Sequence, residues 1–190
     1  MPRRALYPTE MFAVTRDLAA GFQTFRREAA ALRPDEFLPW AEGQAYSQGW
    51  QVYPFVMVTM PPGLVVDFPA HRARCPDSWR FLNDRRVLLA GFSRLLPGCH
   101  IYLHQDSPAF DVLRFHLALA NEGQAGLRIG AETKLQTPGE SYVFDTACDH
   151  EAGNLGAAPR DVLLVDFRLA GKELEEVQRL RAAAGAGAVA

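Results

Sequence analysis

Three residues in the second half of the chain, His104, Asp106 and the more distant His150, have side chains that could bind a metal ion. Two imidazoles and one carboxylate on one face of a metal leave several coordination positions open, a ligand set typical of non-haem Fe(II) oxygenases. Because His104 and Asp106 are two positions apart, an extended strand would point both side chains to the same side. A His-x-Asp pair alone occurs by chance in many proteins, so it is informative only together with His150 and Arg160.

Arg160 adds a cation to this set. Its planar guanidinium matches a carboxylate through two parallel hydrogen bonds, so it could anchor a dicarboxylate. The alternative is a surface ion pair with Asp161 or Asp145, which would contribute little to stability. The position of Arg160 at the start of an apolar strand favours a buried, functional charge.

Several neighbouring polar residues have simpler alternative roles. Asp106 could cap the turn into Ser107-Pro108, where aspartate is favoured. Cys148 could be imagined as a ligand, but a small buried side chain is the favoured interpretation. Asp145 and Glu151 are expected at best to orient a ligand imidazole. His71 is expected to lie in a loop.

Length and composition indicate one globular domain over residues 1–190. Apolar residues make up 48% of the chain and charged residues 22%, which is ordinary for such a protein. A formal net charge of -2 gives no electrostatic reason to expect nucleic-acid binding. No apolar run is long enough to cross a bilayer and no signal peptide is evident, so we expect no membrane association. The three cysteines lack a Cys-x-x-Cys pair and are expected to be thiols in the cytoplasm.

The spacing of apolar residues predicts an amphipathic helix over residues 10–32, with Thr9 as its N-cap and Pro34 at its end. The apolar positions are Met11, Val14, Leu18, Phe22, Phe25, Ala29 and Leu32. Residues 56–60 are expected to form a strand, and Asp77 or Ser78 to cap a short helix through Trp79, Phe81 and Leu82.

From residue 88 onward, short segments rich in β-branched and aromatic residues are separated by glycine, proline or asparagine. The expected strands cover residues 88–96, 100–104, 112–120, 126–134, 141–145 and 160–168. Evenly spaced short strands are typical of a sandwich or barrel. In segment 112–120 the leucines and Phe115 would face one way, and Arg114, His116 and Ala118 the other.

The chain is therefore expected to have three parts. Residues 1–87 would be a helical, aromatic-rich region that packs on a strand core over residues 88–169. Residues 170–190 would add a helix at 172–180 and, beyond Arg181, a frayed tail of small residues.

With these residues identified, the chain resembles the aspartyl/asparaginyl β-hydroxylase family of Fe(II)/2-oxoglutarate-dependent dioxygenases. The family includes bacterial members that act on free amino acids, such as the cis-proline hydroxylases. The similar segments are residues 49–50, 91–101, 104–106, 114–117, 143–145, 150–151 and 160–166. The resemblance implies a mainly β fold with flanking helices, namely a double-stranded β-helix (a cupin-like jelly roll).

The resemblance also implies roles for individual residues and the cofactors Fe(II), 2-oxoglutarate and O2. His104 and His150 match the iron-binding histidines, and Asp106 matches the aspartate that the proline-hydroxylating members have and the animal members replace by glycine. The implied cosubstrate contacts are Arg160, Ser93 and His116. The resemblance implies Arg114 as a substrate contact, and Trp50, in the weaker upstream similarity, is a further candidate. His100 and Tyr102 are candidates because they share strand parity with His104, although either could be structural.

Many members have an aromatic residue shortly after the second histidine, in a His-Glu-x-Trp pattern. Here the run after His150 and Glu151 continues with Ala152 and Gly153, so Gly153 opens space where a ring would lie. This departure concerns the substrate rather than the chemistry.

The expected function is hydroxylation of an unactivated C–H bond in an amino acid or an aspartyl/asparaginyl-like substrate, which could be free, peptidyl or carrier-bound. Two alternatives remain open at this point. One is a non-catalytic cupin-like metal-binding or sensing module with the same ligands. The other is a zinc hydrolase, which offers no reason for the pairing of Ser93 with Arg160.

Overall fold

The chain folds into two antiparallel β-sheets with helices at both ends. The structure is a computed structural model that describes residues 4–106 and 108–186, with the backbone alone described at residues 185 and 186. The strands are β1 (Leu6–Tyr7), β2 (Leu38–Pro39), β3 (Trp50–Met57), β4 (Val87–Leu95), β5 (His100–His104), β6 (Val112–Ala120), β7 (Ala125–Ile129), β8 (Glu132–Leu135), β9 (Ser141–Phe144), β10 (His150–Asn154) and β11 (Arg160–Arg168). The α-helices are α1 (Ala13–Ala20), α2 (Phe22–Ala30), α3 (Phe68–Arg74), α4 (Pro76–Leu82) and α5 (Lys172–Ala186). Short 3-10 turns lie at Thr9–Met11, Pro34–Glu36 and Gly43–Ala45.

Strands β4 to β11 pass back and forth between the two sheets. The large sheet has the order β1-β9-β6-β11-β4-β3-β2, and the small sheet has the order β5-β10-β7-β8. Eight strands shared in this way between two four-stranded halves form a double-stranded β-helix, or jelly roll. The expected fold class, mainly β with flanking helices, is therefore confirmed.

The large sheet buries a different set of side chains on each of its faces. As predicted, Leu113, Phe115, Leu117 and Leu119 of β6 point into the main core, where α1, α2 and α5 also contribute apolar side chains. A second, smaller cluster draws on both sheets, including Leu95 of β4, Leu127 of β7 and Phe144 of β9. Arg114 and His116, on the opposite face of β6, lie beside this second cluster rather than in the main core.

The N-terminal helix differs from the prediction in being divided at Gly21 into α1 and α2. Glycine is among the weakest helix formers, so a break at this position is reasonable. Thr9 does not cap α1, which begins after Phe12 with no side-chain cap. The Thr9 hydroxyl is instead within 2.9 Å of the Ser141 hydroxyl, and Thr9 itself lies in a 3-10 turn.

The strand expected at residues 56–60 lies earlier, because β3 runs from Trp50 to Met57 through Pro54. A proline in a strand argues against a central position. Here the outer neighbour β2 pairs only with Val52 and Gln51, and the Pro54 carbonyl oxygen lies 2.8 Å from Nδ1 of His71. Pro54 therefore occupies a stretch whose outer side is not paired with β2.

Two helices follow β3, where one was predicted. Helix α3 is capped by the Asp67 side chain, which accepts a hydrogen bond from the Ala70 amide, and it contains His71, which was expected in a loop. Helix α4 begins with Pro76 after Cys75, so neither Asp77 nor Ser78 is its N-cap. Proline suits the first helical position because the missing N–H would have no partner there.

The remaining differences concern element boundaries. The segment predicted as one strand over residues 126–134 is a hairpin of β7 and β8 that turns at Gly130, where φ is +57°. The second histidine segment is itself a strand, β10. Helix α5 continues past Arg181 to Ala186, and the rest of the expected frayed tail, residues 187–190, lies outside the described residues.

Candidate metal centre and its surroundings

The small sheet brings the three predicted ligands together. His104, the last residue of β5, pairs directly with His150, the first residue of β10. Asp106 follows two residues after β5 and places Oδ1 3.9 Å from Nε2 of His104 and Oδ2 3.9 Å from Nε2 of His150. The three ligand atoms all lie within 4.8 Å of one another, which is close enough to share one metal ion.

Backbone carbonyls fix the orientation of both imidazoles. Nδ1 of His104 lies 2.7 Å from the carbonyl oxygen of Tyr102, and Nδ1 of His150 lies 3.0 Å from that of Cys148. A carbonyl only accepts, so each Nδ1 carries the proton and each Nε2 keeps its lone pair, as a metal ligand requires.

Asp145 and Glu151 were expected at best to orient a ligand imidazole, and their partners are instead an arginine each and, for Glu151, the non-ligand His100. Asp145 is fully buried and pairs with Arg181 of α5, at 3.0 Å from Nε and 2.8 Å from Nη2. Glu151 accepts from Arg128 and lies 2.9 Å from Nε2 of His100. Cys148 is not one of the three ligands, although its carbonyl oxygen positions His150.

The loops that carry Asp106 and His150 are joined to each other. The Asp106 amide donates to the carbonyl oxygen of Thr146 at 2.8 Å, and the Gln105 side chain donates to Asp149 at 2.8 Å. Arg181 connects the two loops from outside, because it pairs with Asp145 and also donates to the carbonyl oxygen of Phe110. The suggested turn at Ser107 and Pro108 falls partly outside the described residues, since Ser107 is not described.

His150 is held in the neutral form that a metal needs. Its side chain is buried, and burial lowers its pKa to about 4. Nε2 of His150 has no hydrogen-bond partner among the described residues. A buried, neutral imidazole whose free nitrogen faces a carboxylate and a second imidazole is suited to metal binding.

A small cavity of about 30 Å³ lies beside the histidines, and the three predicted cosubstrate contacts are among the side chains that line it. Arg160 is 1% exposed, and its Nε donates to Oε1 of Gln136 at 2.7 Å. Burial lowers the pKa of Arg160 to about 10, so it stays charged near neutral pH. The Ser93 hydroxyl accepts from Nε1 of Trp50 at 3.0 Å. Burial first, and then the charge of Arg160, hold the pKa of His116 well below its usual value.

Buried polar atoms without partners are concentrated around this cavity. Within the described part of the chain, no hydrogen bond reaches Nη2 of Arg160, Nε2 of Gln136, Nε2 of His150 or either ring nitrogen of His116. A buried polar group without a partner costs about 1–3 kcal/mol, so such a cluster calls for an explanation. The alternative role of Arg160, a surface ion pair with Asp161 or Asp145, is not realised, because Asp161 pairs with Arg94 and Asp145 with Arg181.

Arg114, the predicted contact for an acidic substrate, is already paired. Its guanidinium donates to both oxygens of Asp166, at 2.6 Å and 2.8 Å, and its Nη1 lies 3.0 Å from Oδ2 of Asp106. Burial acts to lower the pKa of Arg114, but the charges of Asp166 and Asp106 outweigh it and raise the pKa above its usual value. The geometry therefore makes Arg114 a support for the Asp106 carboxylate.

Of the other predicted substrate contacts, the structure brings only Trp50 to the site. Tyr102 is 45% exposed, and His100 is exposed and pairs with Glu151. The strand-parity expectation fails because the pairing of β5 with β10 contains an extra residue between Ile101 and His104. Such a bulge reverses which side chains face inward, so Ile101 and His104 turn toward the interior while Tyr102 does not.

A second cavity, of about 130 Å³, adjoins His104 and Asp106 and is mostly apolar. Its walls are formed by Trp40, Glu42, Ala45, Trp50, Val52, Pro54, Met57, Leu89, Ala90, Gly91, Phe92, Ser93, His104, Asp106, Arg114 and Leu164. A larger groove of about 1160 Å³ runs along β1, β8 and β9, and none of the three ligands lines it.

The sequence-based interpretation missed Gln136, Asp166 and Leu164. Asp166 and Leu164 have the same strand parity as Arg160 on β11, so alternation along that strand could have placed them on the side facing the site. Gln136 follows β8 in a loop, where no periodic pattern indicates which side chains turn inward.

Comparison with known proteins identifies a family and a relative whose sequences are similar to this chain. The model of the family described as aspartyl/asparaginyl beta-hydroxylase matches residues 19–169. An ornithine lipid ester-linked acyl 2-hydroxylase from Rhizobium tropici is 34% identical over 97 residues, which cover 49% of this chain and 34% of that protein. The match thus spans about a third of that relative's length.

Solved structures with a similar fold include a prolyl-4-hydroxylase from Pseudomonas putida, at 19% identity and a TM-score of 0.46, covering 90% of this chain and 92% of that one. Another is a predicted oxalate decarboxylase from Thermotoga maritima, at 14% identity and a TM-score of 0.45, covering 73% of this chain and 98% of that one. Because the family model extends over most of the chain, including all three candidate ligands, the protein belongs to the aspartyl/asparaginyl β-hydroxylase family.

Proposed function

We propose that the protein is an Fe(II)/2-oxoglutarate-dependent dioxygenase that hydroxylates an unactivated C–H bond. The observation that carries this proposal is the cluster of buried, unpartnered polar atoms of Arg160, Gln136, His116 and His150 next to a His-Asp-His set. A buried guanidinium with a free nitrogen is suited to an anionic ligand, because a carboxylate would supply charge-assisted hydrogen bonds. A metal alone would satisfy His150 but not Arg160, Gln136 and His116.

The donor set fits Fe(II). His104, Asp106 and His150 would hold the ion through two nitrogens and one oxygen, the facial arrangement that leaves positions open for a cosubstrate and O2. When bound, iron with 2-oxoglutarate and O2 would supply the oxidising power for hydroxylation. The protein would contribute the orientation of its ligands, through the carbonyl oxygens of Tyr102 and Cys148 and through the Arg114 contact to Asp106.

The small cavity beside Arg160 would receive one carboxylate of 2-oxoglutarate. Its volume of about 30 Å³ suits the carboxylate end, and the rest of the molecule would extend toward His104 and His150, which also line the cavity. Gln136 holds Nε of Arg160, which leaves Nη2 as the nitrogen available for the anion. Ser93 and His116 would complete the polar surroundings.

Two classes of substrate are candidates within this proposal. An amino acid, or an aspartyl or asparaginyl group that is free, peptidyl or carrier-bound, is one candidate. The relative from Rhizobium tropici is named for an acyl chain, which makes a lipid-linked substrate the other candidate. None of the helices among the described residues is long and apolar enough to cross a bilayer.

The competing function is a cupin-like metal-binding or sensing module. It would use the same three ligands but would not require the buried Arg160 and its unpartnered neighbours. The two functions can be distinguished by 2-oxoglutarate binding alone, before any substrate is known.

The test is titration of the purified protein with 2-oxoglutarate, with Fe(II) under anaerobic conditions, followed by measurement of succinate after air is admitted. We expect saturable binding, slow succinate formation without substrate, and loss of both in His104→Ala and His150→Ala. Circular dichroism of these variants should remain that of the folded protein. Failure of the iron-loaded wild-type protein to bind 2-oxoglutarate would leave the metal-binding module as the better description.

A further inference from the structure

The two cavities at the metal ligands are lined by different sets of side chains. Five residues border both cavities, which therefore adjoin one another at one site: Trp50, Ser93, His104, Arg114 and Leu164. The small cavity also contains Arg160, His116 and His150, whereas the larger one adds mostly apolar side chains. If the cavity that contains Arg160 receives the cosubstrate, the larger cavity is left for the group that is oxidised.

We propose that the 130 Å³ cavity, called here the apolar compartment, binds an aliphatic group of the substrate and excludes a carboxylate. This inference rests on the proposed function for the identity of the site, and it adds the substrate class. Its aliphatic character comes from Pro54, Met57, Leu89 and Leu164, and its aromatic walls are Trp40 and Trp50.

The charges around the compartment exclude an acidic group at the reacting end. Arg114 is the one guanidinium in the described lining, and both oxygens of Asp166 occupy its fork while Asp106 contacts its remaining terminal nitrogen. A substrate carboxylate would have no free cation to pair with, and burying an unpaired charge is costly. The other charged group of the lining, apart from the metal ligands, is Glu42, which is exposed and would repel an anion.

The size of the compartment suits a short aliphatic segment. An apolar cavity of roughly 150 Å³ in a protein core can stay dry and bind a molecule the size of benzene. The compartment is only slightly smaller, at about 130 Å³, and it reaches from His104 and Asp106 to the exposed Glu42. An aliphatic chain could therefore place a C–H bond near the metal while its polar end lies at the surface.

This chemistry has two possible sources, the side chain of an aliphatic amino acid and the hydrocarbon of an acyl group. Both have an uncharged apolar segment that could enter the compartment, attached to a polar end that would stay at the surface. Probes of different chain length separate the two, because an acyl chain continues to gain contacts where a short side chain has ended.

Intrinsic fluorescence offers a direct binding measurement without iron or 2-oxoglutarate. Trp40 and Trp50 line the compartment with their rings stacked at 4.9 Å, whereas Trp79 lies in α4 and packs against the main core. The probes are butanamide, hexanamide and octanamide, with L-leucine as the amino-acid probe and N-acetyl-L-aspartate as the acidic probe. We expect affinity to rise by about three- to fourfold per added methylene until the compartment is full, with no detectable change for the acidic probe.

Two neighbouring residues of β4 provide a matched pair of variants. Leu89 lines the compartment, whereas Leu88 does not. Leu89→Phe should weaken octanamide binding by about tenfold, the loss of roughly two methylenes of contact, while Leu88→Phe should leave it unchanged. If Leu89→Phe proves unstable, Leu89→Ala replaces it and should extend the chain length at which affinity stops rising.

The outcomes are decisive in both directions. Rising affinity along the amide series supports the inference and assigns an acyl source, and tighter binding of L-leucine than of octanamide supports it with an amino-acid source. Affinity independent of chain length, or tighter binding of N-acetyl-L-aspartate than of hexanamide, overturns it. These results do not depend on 2-oxoglutarate, so failure of the inference and failure of the proposed function are observed in separate experiments.

Discussion

Arg160 is the residue whose environment most clearly requires a ligand, since it is fully buried and Nη2 has no partner within the described chain. We expect Arg160→Ala to raise the concentration of 2-oxoglutarate needed for half-saturation by tenfold to more than a hundredfold. The reason is the loss of a hydrogen bond to a charged group, about 1.5–3 kcal/mol. The measurement is the 2-oxoglutarate dependence of succinate formation.

Arg94 supplies the control for this variant. It is also a buried arginine, but its fork is occupied by Asp161 at 2.8 Å and 2.7 Å, and its guanidinium lies 3.9 Å from the Phe37 ring centroid. Arg94→Ala should lower the free energy of unfolding by about 3–5 kcal/mol, because Asp161 would be left buried and unpaired. At a temperature where the variant is folded, its 2-oxoglutarate dependence should match that of the wild type.

Asp106 tests whether the metal has three protein ligands or two. If its carboxylate binds the ion, Asp106→Gly and Asp106→Asn should bind Fe(II) more weakly, by at least tenfold, and retain at most partial activity. A role limited to the turn predicts unchanged Fe(II) affinity with a modest loss of thermal stability. Metal titration and thermal unfolding of both variants separate these cases.

His116 links the stability of the metal-free protein to pH. Burial keeps its folded-state pKa well below 6.5, so below pH 6.5 the unfolded chain binds a proton that the folded protein does not. Stability is therefore fully present above pH 6.5 and falls as the pH decreases, by up to about 1.4 kcal/mol per pH unit for this one group. In His116→Gln the free energy of unfolding should depend less steeply on pH, because one fewer proton is taken up on unfolding. The measurement is urea unfolding at pH 7, 6 and 5. Equal slopes for both proteins would contradict the assignment.

The sequence was sufficient to identify the three side chains that the fold brings together and the buried Arg160, because residue type and spacing indicate them directly. It was not sufficient for orientations that depend on register. Tyr102 and His100 were assigned to the site by alternation, and one bulge in β5 turned them to the surface. Arg114 lies on the expected face, but its partner Asp166 is 52 residues away in the chain, so its pairing could not be read from local spacing.

At the scale of elements, helix α5 is joined to both ligand loops by one residue. Arg181 pairs with the fully buried Asp145, and it donates to the carbonyl oxygen of Phe110 in the loop after Asp106. We expect Arg181→Ala to lower the free energy of unfolding by about 2–5 kcal/mol and to weaken metal binding, since both ligand loops lose a constraint.

The control for Arg181 lies in the same helix. Arg179 is exposed, and within the described part of the chain its ion pair is with Glu176 one turn earlier. Arg179→Ala should therefore change stability by less than about 0.5 kcal/mol and leave metal affinity unaltered. Thermal unfolding and metal titration of the two variants give the comparison. Equal metal affinity in Arg181→Ala and Arg179→Ala would show that α5 supports the fold without positioning the ligands.

Strands were predicted well where alternation or apolar runs are long, as in β4, β6 and β11. They were missed or shifted where the sequence contains residues that disfavour strands. Pro54 obscured β3, and Gly153 obscured β10, whose residues His150 to Asn154 include few strand formers. In both cases the neighbouring strands supply the pairing that the local sequence does not favour.

At the scale of the whole molecule, the N-terminal region and the jelly roll share one core. Phe12, Leu18 and Phe25 of the N-terminal segment are fully buried in the same cluster as Phe115 of β6 and Phe167 of β11. The boundaries expected at residues 87 and 169 therefore separate segments of the sequence, but the hydrophobic core is continuous across both of them.

We expect the metal-free protein to unfold in one cooperative transition. Tryptophan fluorescence should report on β3 and α4, through Trp50 and Trp79, and far-ultraviolet circular dichroism on the whole chain. The two urea-unfolding curves should coincide, as they do for a two-state domain. An earlier fluorescence transition would indicate that the N-terminal region unfolds separately. Leu82→Ala, a buried change in α4, should shift both curves together by about 2–5 kcal/mol.

The proline in β3 has a consequence for how these molecules behave in concentrated solution. The outer side of β3 past Val52 is not paired with β2, and an open strand edge is a template on which another chain can add. Here Pro54 offers no amide hydrogen, and the carbonyl oxygens of Pro54 and Phe55 are engaged by His71 and Arg72 of α3. This edge is consequently closed to β-sheet association with a second copy, although it borders the apolar compartment. A small molecule could therefore bind against Pro54 in the compartment, while β3 would not pair with a strand of another molecule at this position.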